Sequence, residues 1–285
     1  MSNDVDAFLL GMEKGFFEKR GINVTLNESK SGGPEIIPAL LSNHVQFGYI
    51  GVTDLAVAVD KNFKLVGIGP YDVGAKVESE KDAASFAWLK ENTEIKSPAD
   101  LEGKTVAINS LNGLGQMLAE AAVENAGGDP KSIKFVAINF PDMGQALTDG
   151  RVDAIWNVEP FLVMLEQEAE IERASSTYPM EPEAPVSVWT VSAEYLEKNE
   201  ATVKAVQAAL NESYEYAAEH EEEDREVVMK ATNTEEGLWP KVTLQTHAIT
   251  VPTSAVETEI EAMEASGLVE NPPPLEEWWK SNPLE

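Results

Sequence analysis

The chain has no cysteine, and this absence removes several kinds of chemistry. Without a thiol there can be no disulfide bond, no thiolate zinc site and no cysteine nucleophile. Histidine is scarce as well, and no two of the three histidines have the spacing of metal ligands in one motif. A Walker loop and a Gly-x-Ser-x-Gly motif are also missing. We therefore expect no catalytic residue, no metal ion and no cofactor, and we predict that the protein is not an enzyme.

Basic side chains are few compared with acidic ones. The chain has 21 Lys and Arg against 50 Asp and Glu, which gives a formal net charge of -29. A negative field of this strength argues against nucleic-acid phosphates or anionic lipid as partners. Such a chain also repels itself, and salt screens that repulsion at distances beyond about 10 Å. We interpret the composition as a halophilic adaptation to high ionic strength; a merely acidic mesophilic protein is the alternative.

Long apolar runs are absent too, since no stretch approaches the roughly 20 residues that a membrane-spanning helix needs. Residues 1–6 have neither the basic beginning nor the apolar core of a signal peptide. We therefore expect either that the protein is cytosolic or that these residues belong to a mature or trimmed form.

What the sequence contains instead is an alternation of short apolar runs with helical patterns, which is typical of a parallel α/β sheet. A polar stretch at 71–84, which we predict to be free of strands, interrupts the alternation, and the segment 85–90 is extended in character. The alternation then restarts. The predicted strands cover residues 22–26, 45–50, 65–68, 105–108, 134–138, 152–156 and 186–191.

The two α/β halves are predicted to form two lobes, with one lobe inserted into the other. Residues 1–87 and 189–285 make the discontinuous lobe 1, and residues 88–188 make the inserted lobe 2. Two extended crossings between such lobes create a hinge over an interlobe cleft.

Three loops follow predicted strands and open helices: 31–34, 51–54 and 109–113. Ligands bind beyond the carboxyl ends of strands in open α/β sheets, where helix N-termini offer unpaired N–H groups. The alternative is that the polar residues simply cap their helices. The ligand-binding candidates from these loops are Ser31, Gly32, Gly33, Gly51, Val52, Thr53, Ser110, Asn112 and Gly113.

Three further candidates lie at or near predicted strand ends. The carboxylate of Glu159 could accept hydrogen bonds from a ligand amine or ring N–H, or it could hold the Glu-Pro corner by bonding backbone N–H groups. Tyr71 could stack on a planar ligand, although core packing is the alternative. Asn157 completes the predicted ligand-binding set.

Four segments resemble the family of ABC-transporter substrate-binding proteins for nitrate, sulfonates, taurine and the thiamine pyrimidine: residues 11–24, 39–48, 97–104 and 146–161. The resemblance implies the type II periplasmic-binding-protein fold, with two α/β lobes, a hinge and a small solute in the interlobe cleft. It also implies a membrane ABC permease as partner, a monomer, and an extracytoplasmic location for the full-length form. Within the same family, a thiamine-pyrimidine biosynthetic enzyme is one alternative and a sensor clamshell without transport is another.

The chain departs from the family pattern in three places. Only residues 1–6 precede the Gly-Phe-Phe helix, where the family usually has a strand. The positions of a Gly-Ser-Thr loop in anion-binding members correspond to residues 111–113, which read Leu-Asn-Gly. Val158 replaces the aromatic residue that commonly precedes Glu-Pro. These departures favour a neutral or nitrogen-bearing solute such as a pyrimidine over sulfonate or nitrate.

Overall fold

The computed structural model describes residues 5–29, 31–74, 83–175, 184–280 and 282–284. The strands are β1 (Gly48–Gly51), β2 (Leu65–Val73), β3 (Ala84–Leu89), β4 (Thr105–Ile108), β5 (Lys134–Ala137), β6 (Ala154–Val158), β7 (Ile171–Ser175), β8 (Pro185–Ser192) and β9 (Thr246–Ala248). The α-helices are α1 (Asp6–Glu13), α2 (Gly33–Leu41), α3 (Val52–Asp60), α4 (Leu114–Asn125), α5 (Phe140–Thr148), α6 (Phe161–Glu168), α7 (Ala193–Lys198), α8 (Glu200–Glu219), α9 (Glu221–Thr232), α10 (Thr253–Ser266) and α11 (Leu275–Trp278).

The strands form two sheets. The first has the order β1-β8-β2-β9, and the second has the order β5-β4-β6-β3-β7. In the first sheet every hydrogen-bonded pair is antiparallel, which differs from the predicted parallel pairing. The reason is that β8 lies between β1 and β2, so these two strands run in the same direction without touching. In the second sheet, β4 pairs in parallel with β5 and β6, as the alternation predicts.

Sheet membership locates the two passages between the halves of the molecule. The chain leaves the first sheet after β2 and returns to it with β8, while β3 already belongs to the second sheet. Both passages therefore come slightly earlier than the proposed boundaries after residues 87 and 188, which fall inside β3 and β8. Below, lobe 1 denotes the elements around the first sheet and lobe 2 those around the second.

One predicted strand does not form, and another is longer than predicted. Residues 22–29 have no regular structure, although Ile22 and Val24 are partly buried as the alternation requires. A strand also needs a hydrogen-bonded neighbour, and no described strand pairs with this segment. Strand β2, in contrast, continues to Val73 instead of ending at residue 68. Its pairing with β8 is irregular between Gly67 and Tyr71, where the sequence has the Gly69-Pro70 step.

One core cluster extends across both lobes. It joins buried side chains of α3, α4 and α10, including Leu55, Leu114 and Met263. Helix α10 packs against α4, and α3 also contacts α4. The C-terminal part of the chain therefore reaches lobe 2 at the place where α3 and α4 begin. Within the described ranges, no helix is both long and apolar enough to cross a membrane.

Replacing Gly11 with Ala tests the close packing of α1 on α8. A Cβ atom at this position would overlap Ser213 Oγ and lie 2.5 Å from Ser213 Cβ. We expect Gly11→Ala to lower the free energy of unfolding by roughly 1–3 kcal/mol, the usual cost of overpacking a core. Gly237→Ala is the control, because nothing lies within 4 Å of its added Cβ. Denaturant titration measures both variants, and equal midpoints would contradict the close approach of α1 to α8.

Candidate functional site

Three of the predicted loops meet at Asp54. A Cβ atom on Gly33 would lie 2.6 Å from the Asp54 carboxyl group, and one on Gly51 would lie 3.2 Å from Asp54 Oδ2. Ser110 Oγ, in the loop between β4 and α4, lies 3.4 Å from Asp54 Oδ1. A Cβ atom on Gly32 would lie 3.8 Å from the Asn109 amide nitrogen. Two loops of lobe 1 and one loop of lobe 2 are thus in contact. We call Gly32, Gly33, Gly51, Thr53, Asp54 and Ser110 the Asp54 cluster.

The helices that begin at these loops have glycine as their N-cap residue. Gly32 precedes α2, Gly51 precedes α3 and Gly113 precedes α4, and none of these helix starts has a side-chain capping hydrogen bond. The interpretation of the polar loop residues as caps is therefore wrong for all three helices. Glycine caps leave the first N–H groups of each helix without a side-chain acceptor, and these groups attract negative or hydrogen-bond-accepting atoms. At Gly32 the backbone φ of 71° also requires glycine.

Asp54 lies at the start of α3, where its carboxyl group is shared between the lobes. Removal from water raises its pKa to about 6, and the hydrogen bond donated by Ser110 acts in the opposite direction. Because no described basic side chain pairs with Asp54, the proton stays on this group at higher pH than usual. The contact with Ser110 joins lobe 1 to lobe 2 directly.

Glu259 of α10 adds a second carboxyl group beside the same loop. Its side chain is 4% exposed, and neither carboxyl oxygen forms a hydrogen bond of acceptable geometry with the described residues. Burial raises its pKa to about 8, while the nearby Thr53 side chain acts to lower it. The Thr53 hydroxyl is itself buried, and its contact with Glu259 lacks the geometry of a hydrogen bond. Burying a carboxyl group with no described cation near it lowers the stability of the folded protein. Such groups are often found at ligand-binding sites.

Sequence reasoning missed Glu259, although a signal for it exists. Val256, Glu259 and Met263 are all buried in the structure and follow the spacing of one helix face. An acidic residue within an otherwise apolar stripe is unusual, because such groups are seldom fully buried without a partner. The stripe was hidden by the many exposed acidic residues of the same helix.

Four of the predicted ligand-binding residues lie outside the Asp54 cluster. Glu159 accepts a hydrogen bond from the backbone N–H of Val163 at 3.1 Å and forms an ion pair with Arg173 at 3.0 Å. It therefore holds the Glu-Pro corner, the second of the two interpretations. Asn157 donates to the Phe140 carbonyl at 3.2 Å. Tyr71 stacks on a tryptophan ring, and Asn112 is exposed.

The remaining predicted residues lie in or next to the Asp54 cluster. Val52 is buried in the first turn of α3, Ser31 is partly exposed before Gly32, and Gly113 caps α4. Trp156 lies against this same first turn of α4, since a Cβ atom on Gly115 would lie 2.7 Å from its indole ring. Its indole N–H is buried without a hydrogen-bond partner. Trp156 thus adds an unsatisfied donor on the lobe 2 side.

Comparison with known proteins agrees with this architecture. The NMT1/THI5-like family profile matches residues 2–224. The chain belongs to the NMT1/THI5-like family. The resemblance drawn from the four sequence segments is thereby confirmed. A taurine-binding periplasmic protein from Escherichia coli K12 is 27% identical over 204 residues, a match that covers 71% of this chain and 60% of the relative.

Solved structures share the fold over nearly the whole chain. The alkanesulfonate-binding protein SsuA from Xanthomonas axonopodis pv. citri, bound to MOPS, superposes with a TM-score of 0.79 at 14% identity, covering 98% of this chain and 96% of that protein. The periplasmic aliphatic sulphonate-binding protein SsuA from Escherichia coli gives a TM-score of 0.77 at 18% identity, with 99% and 91% coverage. The protein has the predicted periplasmic-binding-protein fold of this NMT1/THI5-like family.

The pH dependence of stability tests the burial of Glu259. The folded-state pKa of about 8 lies above the ordinary value of 4.5, so ionisation destabilises the folded state as pH rises through that interval. Each pKa unit corresponds to about 1.4 kcal/mol. We expect Glu259→Gln to melt at higher temperature than the parent at pH 9 and at a similar temperature at pH 4.

Glu257→Gln is the matched control, since Glu257 lies on the same helix and is exposed. It should follow the parent at every pH in a calorimetric series. A constant difference between Glu259→Gln and the parent across the series would contradict a buried, ionisable Glu259.

Proposed function

We propose that the protein captures a small solute between its two lobes and delivers it to an ABC permease. The observation that carries this proposal is the meeting of three glycine-capped loops, from both lobes, beside buried polar groups that have no hydrogen-bond partner. A ligand at this place would reach helix N-termini and side chains of both lobes together. Binding would then stabilise the arrangement in which the lobes are joined.

The solute that suits the Asp54 cluster carries a hydrogen-bond-donating or positively charged nitrogen. Asp54 and Glu259 offer carboxyl groups, and no described Lys or Arg pairs with either of them. An anion without an amine, such as nitrate, would be repelled by both carboxyl groups once they ionise. The uncapped helix N-termini suit an acceptor or anionic end of the same molecule. Amino acid-like sulfonates and aminopyrimidines combine both features, and the Escherichia coli relative is named for taurine.

Capture of this solute would require the lobes to move apart and close. The Ser110–Asp54 contact lies between them, and the chain connects the lobes between Val73 and Ala84 and again between Ser175 and Pro185. Movement of one lobe away from the other would separate Ser110 from Asp54 while leaving both sheets intact. We propose that the protein works in this way as a monomer.

We also propose an extracytoplasmic location for the protein and an environment of high ionic strength. The relative from Escherichia coli is named as periplasmic, which supports an extracytoplasmic location here. The net charge of -29 supports work at high ionic strength. We propose solute binding without catalysis.

A matched pair of solutes tests the role of the amine. Taurine and ethanesulfonate differ by one amino group, so their comparison isolates the contribution of the carboxyl groups. At a hundredfold excess over Kd, one-site binding adds about 2.7 kcal/mol to the free energy of unfolding. We expect taurine or a 4-aminopyrimidine to raise the melting temperature in molar salt, and ethanesulfonate and nitrate to leave it nearly unchanged. Equal stabilisation by ethanesulfonate and taurine would contradict recognition of the amine.

The affinity for an amine should also depend on pH. A positive nitrogen beside Glu259 favours the ionised carboxylate, so binding releases the proton that the free protein holds below its pKa of about 8. We expect the association constant to rise by about tenfold per unit from pH 6.5 to 7, less steeply as pH approaches 8, and to level off above it. Calorimetric titration in two buffers of different ionisation enthalpy measures the released proton.

Glu259→Gln and Glu257→Gln, the two variants of the pH-stability experiment, also test the role of Glu259 in binding. Glu259→Gln should lose the pH dependence of affinity, whereas Glu257→Gln should keep it. A slope that persists in Glu259→Gln would show that another group takes up the proton, and the assignment of Glu259 to the solute would then be wrong.

A further inference from the structure

A second group of ionisable side chains lies inside lobe 1 and shares no residue with the Asp54 cluster. It consists of Asp6 at the start of α1, Asp72 in β2, Asp224 in α9 and His247 in β9. Asp6 and Asp72 are 1% exposed and Asp224 is 2% exposed. The His247 side chain is 7% exposed. We call these four residues the His247 cluster.

The two imidazole nitrogens of His247 have different surroundings. Nδ1 lies 2.8 Å from Asp72 Oδ1, a distance at which its N–H donates to the carboxylate. Nε2 is buried and makes no hydrogen bond of acceptable geometry. In metal sites, a carboxylate typically holds one ring nitrogen of a histidine so that the other nitrogen faces the ion. His247 has this arrangement.

Two carboxylates face Nε2. Nε2 lies 3.2 Å from Asp6 Oδ1 and 4.0 Å from Asp224 Oδ2. One ligand atom from each of Asp6, Asp224 and His247 can be chosen so that all three lie within 4.8 Å of one another. Ligands bound to a tetrahedral ion at about 2.0–2.2 Å lie roughly 3.3–3.6 Å apart, so small side-chain shifts suffice.

The His247 cluster contains more acidic than basic side chains. Three carboxyl groups surround one imidazole. The ion pairs recorded for these four residues are all within the cluster. Asp6 Oδ2, Asp72 Oδ2 and Asp224 Oδ1 are buried and form no hydrogen bond of acceptable geometry with the described residues. Buried negative charge without hydrogen-bond partners is strongly unfavourable, and either bound protons or a bound ion must offset it.

We propose that Asp6, Asp224 and His247 bind one divalent metal ion of the zinc type, with Asp72 orienting the histidine. One nitrogen and two carboxylate oxygens suit zinc and similar ions, and three protein ligands leave one coordination position for water. The ion would connect α1, α9 and β9, which come from the two ends of the chain. Its role would be to stabilise lobe 1, because all three ligands lie in the interior of that lobe.

Metal-free protein, prepared by dialysis against EDTA and then into molar salt, tests the site. We expect zinc alone to bind at one ion per chain by mass-spectrometric metal analysis and to raise the melting temperature. Cobalt should produce the visible absorption of a tetrahedral nitrogen and oxygen site. Molar salt suppresses weak binding to the acidic surface.

Substitutions separate the buried site from the surface. Asp224→Asn removes a ligand and should abolish the stoichiometric binding. Asp72→Asn should weaken it by about 10–100-fold, the usual effect of losing the partner of a metal-bound histidine. His220→Gln is the control, because His220 stacks on Tyr216 outside the cluster. It should bind zinc as the parent does.

Two results would overturn the proposal. One is the absence of stoichiometric zinc binding by the parent protein. The other is equal binding by the parent and by folded Asp224→Asn, which would place the ion elsewhere. In either case protons would balance the His247 cluster.

Discussion

The architecture depends on the position of one strand. Strand β8 lies between β1 and β2, so the first sheet cannot form until the chain has passed through lobe 2 and returned. The chain therefore passes from one sheet to the other and back. The loop after β4 lies against the loops before α2 and α3. The contact between Ser110 and Asp54 follows from that arrangement.

Buried polar groups without partners mark both proposed sites. Folding normally satisfies such groups, since each one left alone costs about 1–3 kcal/mol. The oxygens of Glu259 and the Nε2 atom of His247 are exceptions among the described residues. They differ in setting: Glu259 lies beside a loop that joins the lobes, whereas His247 lies within one lobe. A solute that enters and leaves suits the first setting, and a permanently held ion suits the second.

The sequence predicts those features that depend on local pattern. The helix-opening loops and most strands follow from residue spacing. The resemblance of four sequence segments to known binding proteins predicted the family. The strand predicted at residues 22–26 does not form, because a strand requires a hydrogen-bonded neighbour as well as an alternating sequence. Glu259 and the His247 cluster were missed for a related reason: their partners lie far away in the chain. Asp6 and His247 are brought together only by the packing of α1 near β9, so no short spacing could reveal a metal site.

The C-terminal part of the chain links the two sites. The family match ends at residue 224, yet β9 with His247 and α10 with Glu259 lie beyond it. Strand β9 pairs with β2 in lobe 1, and α10 then packs against α4 of lobe 2. An ion held by His247 would secure the start of this segment and so limit how far α10 can move. The position of Glu259 beside Thr53 would then be fixed by lobe 1 and would not change as the lobes separate. A carboxyl group that contacts every solute in the same way needs such a fixed position.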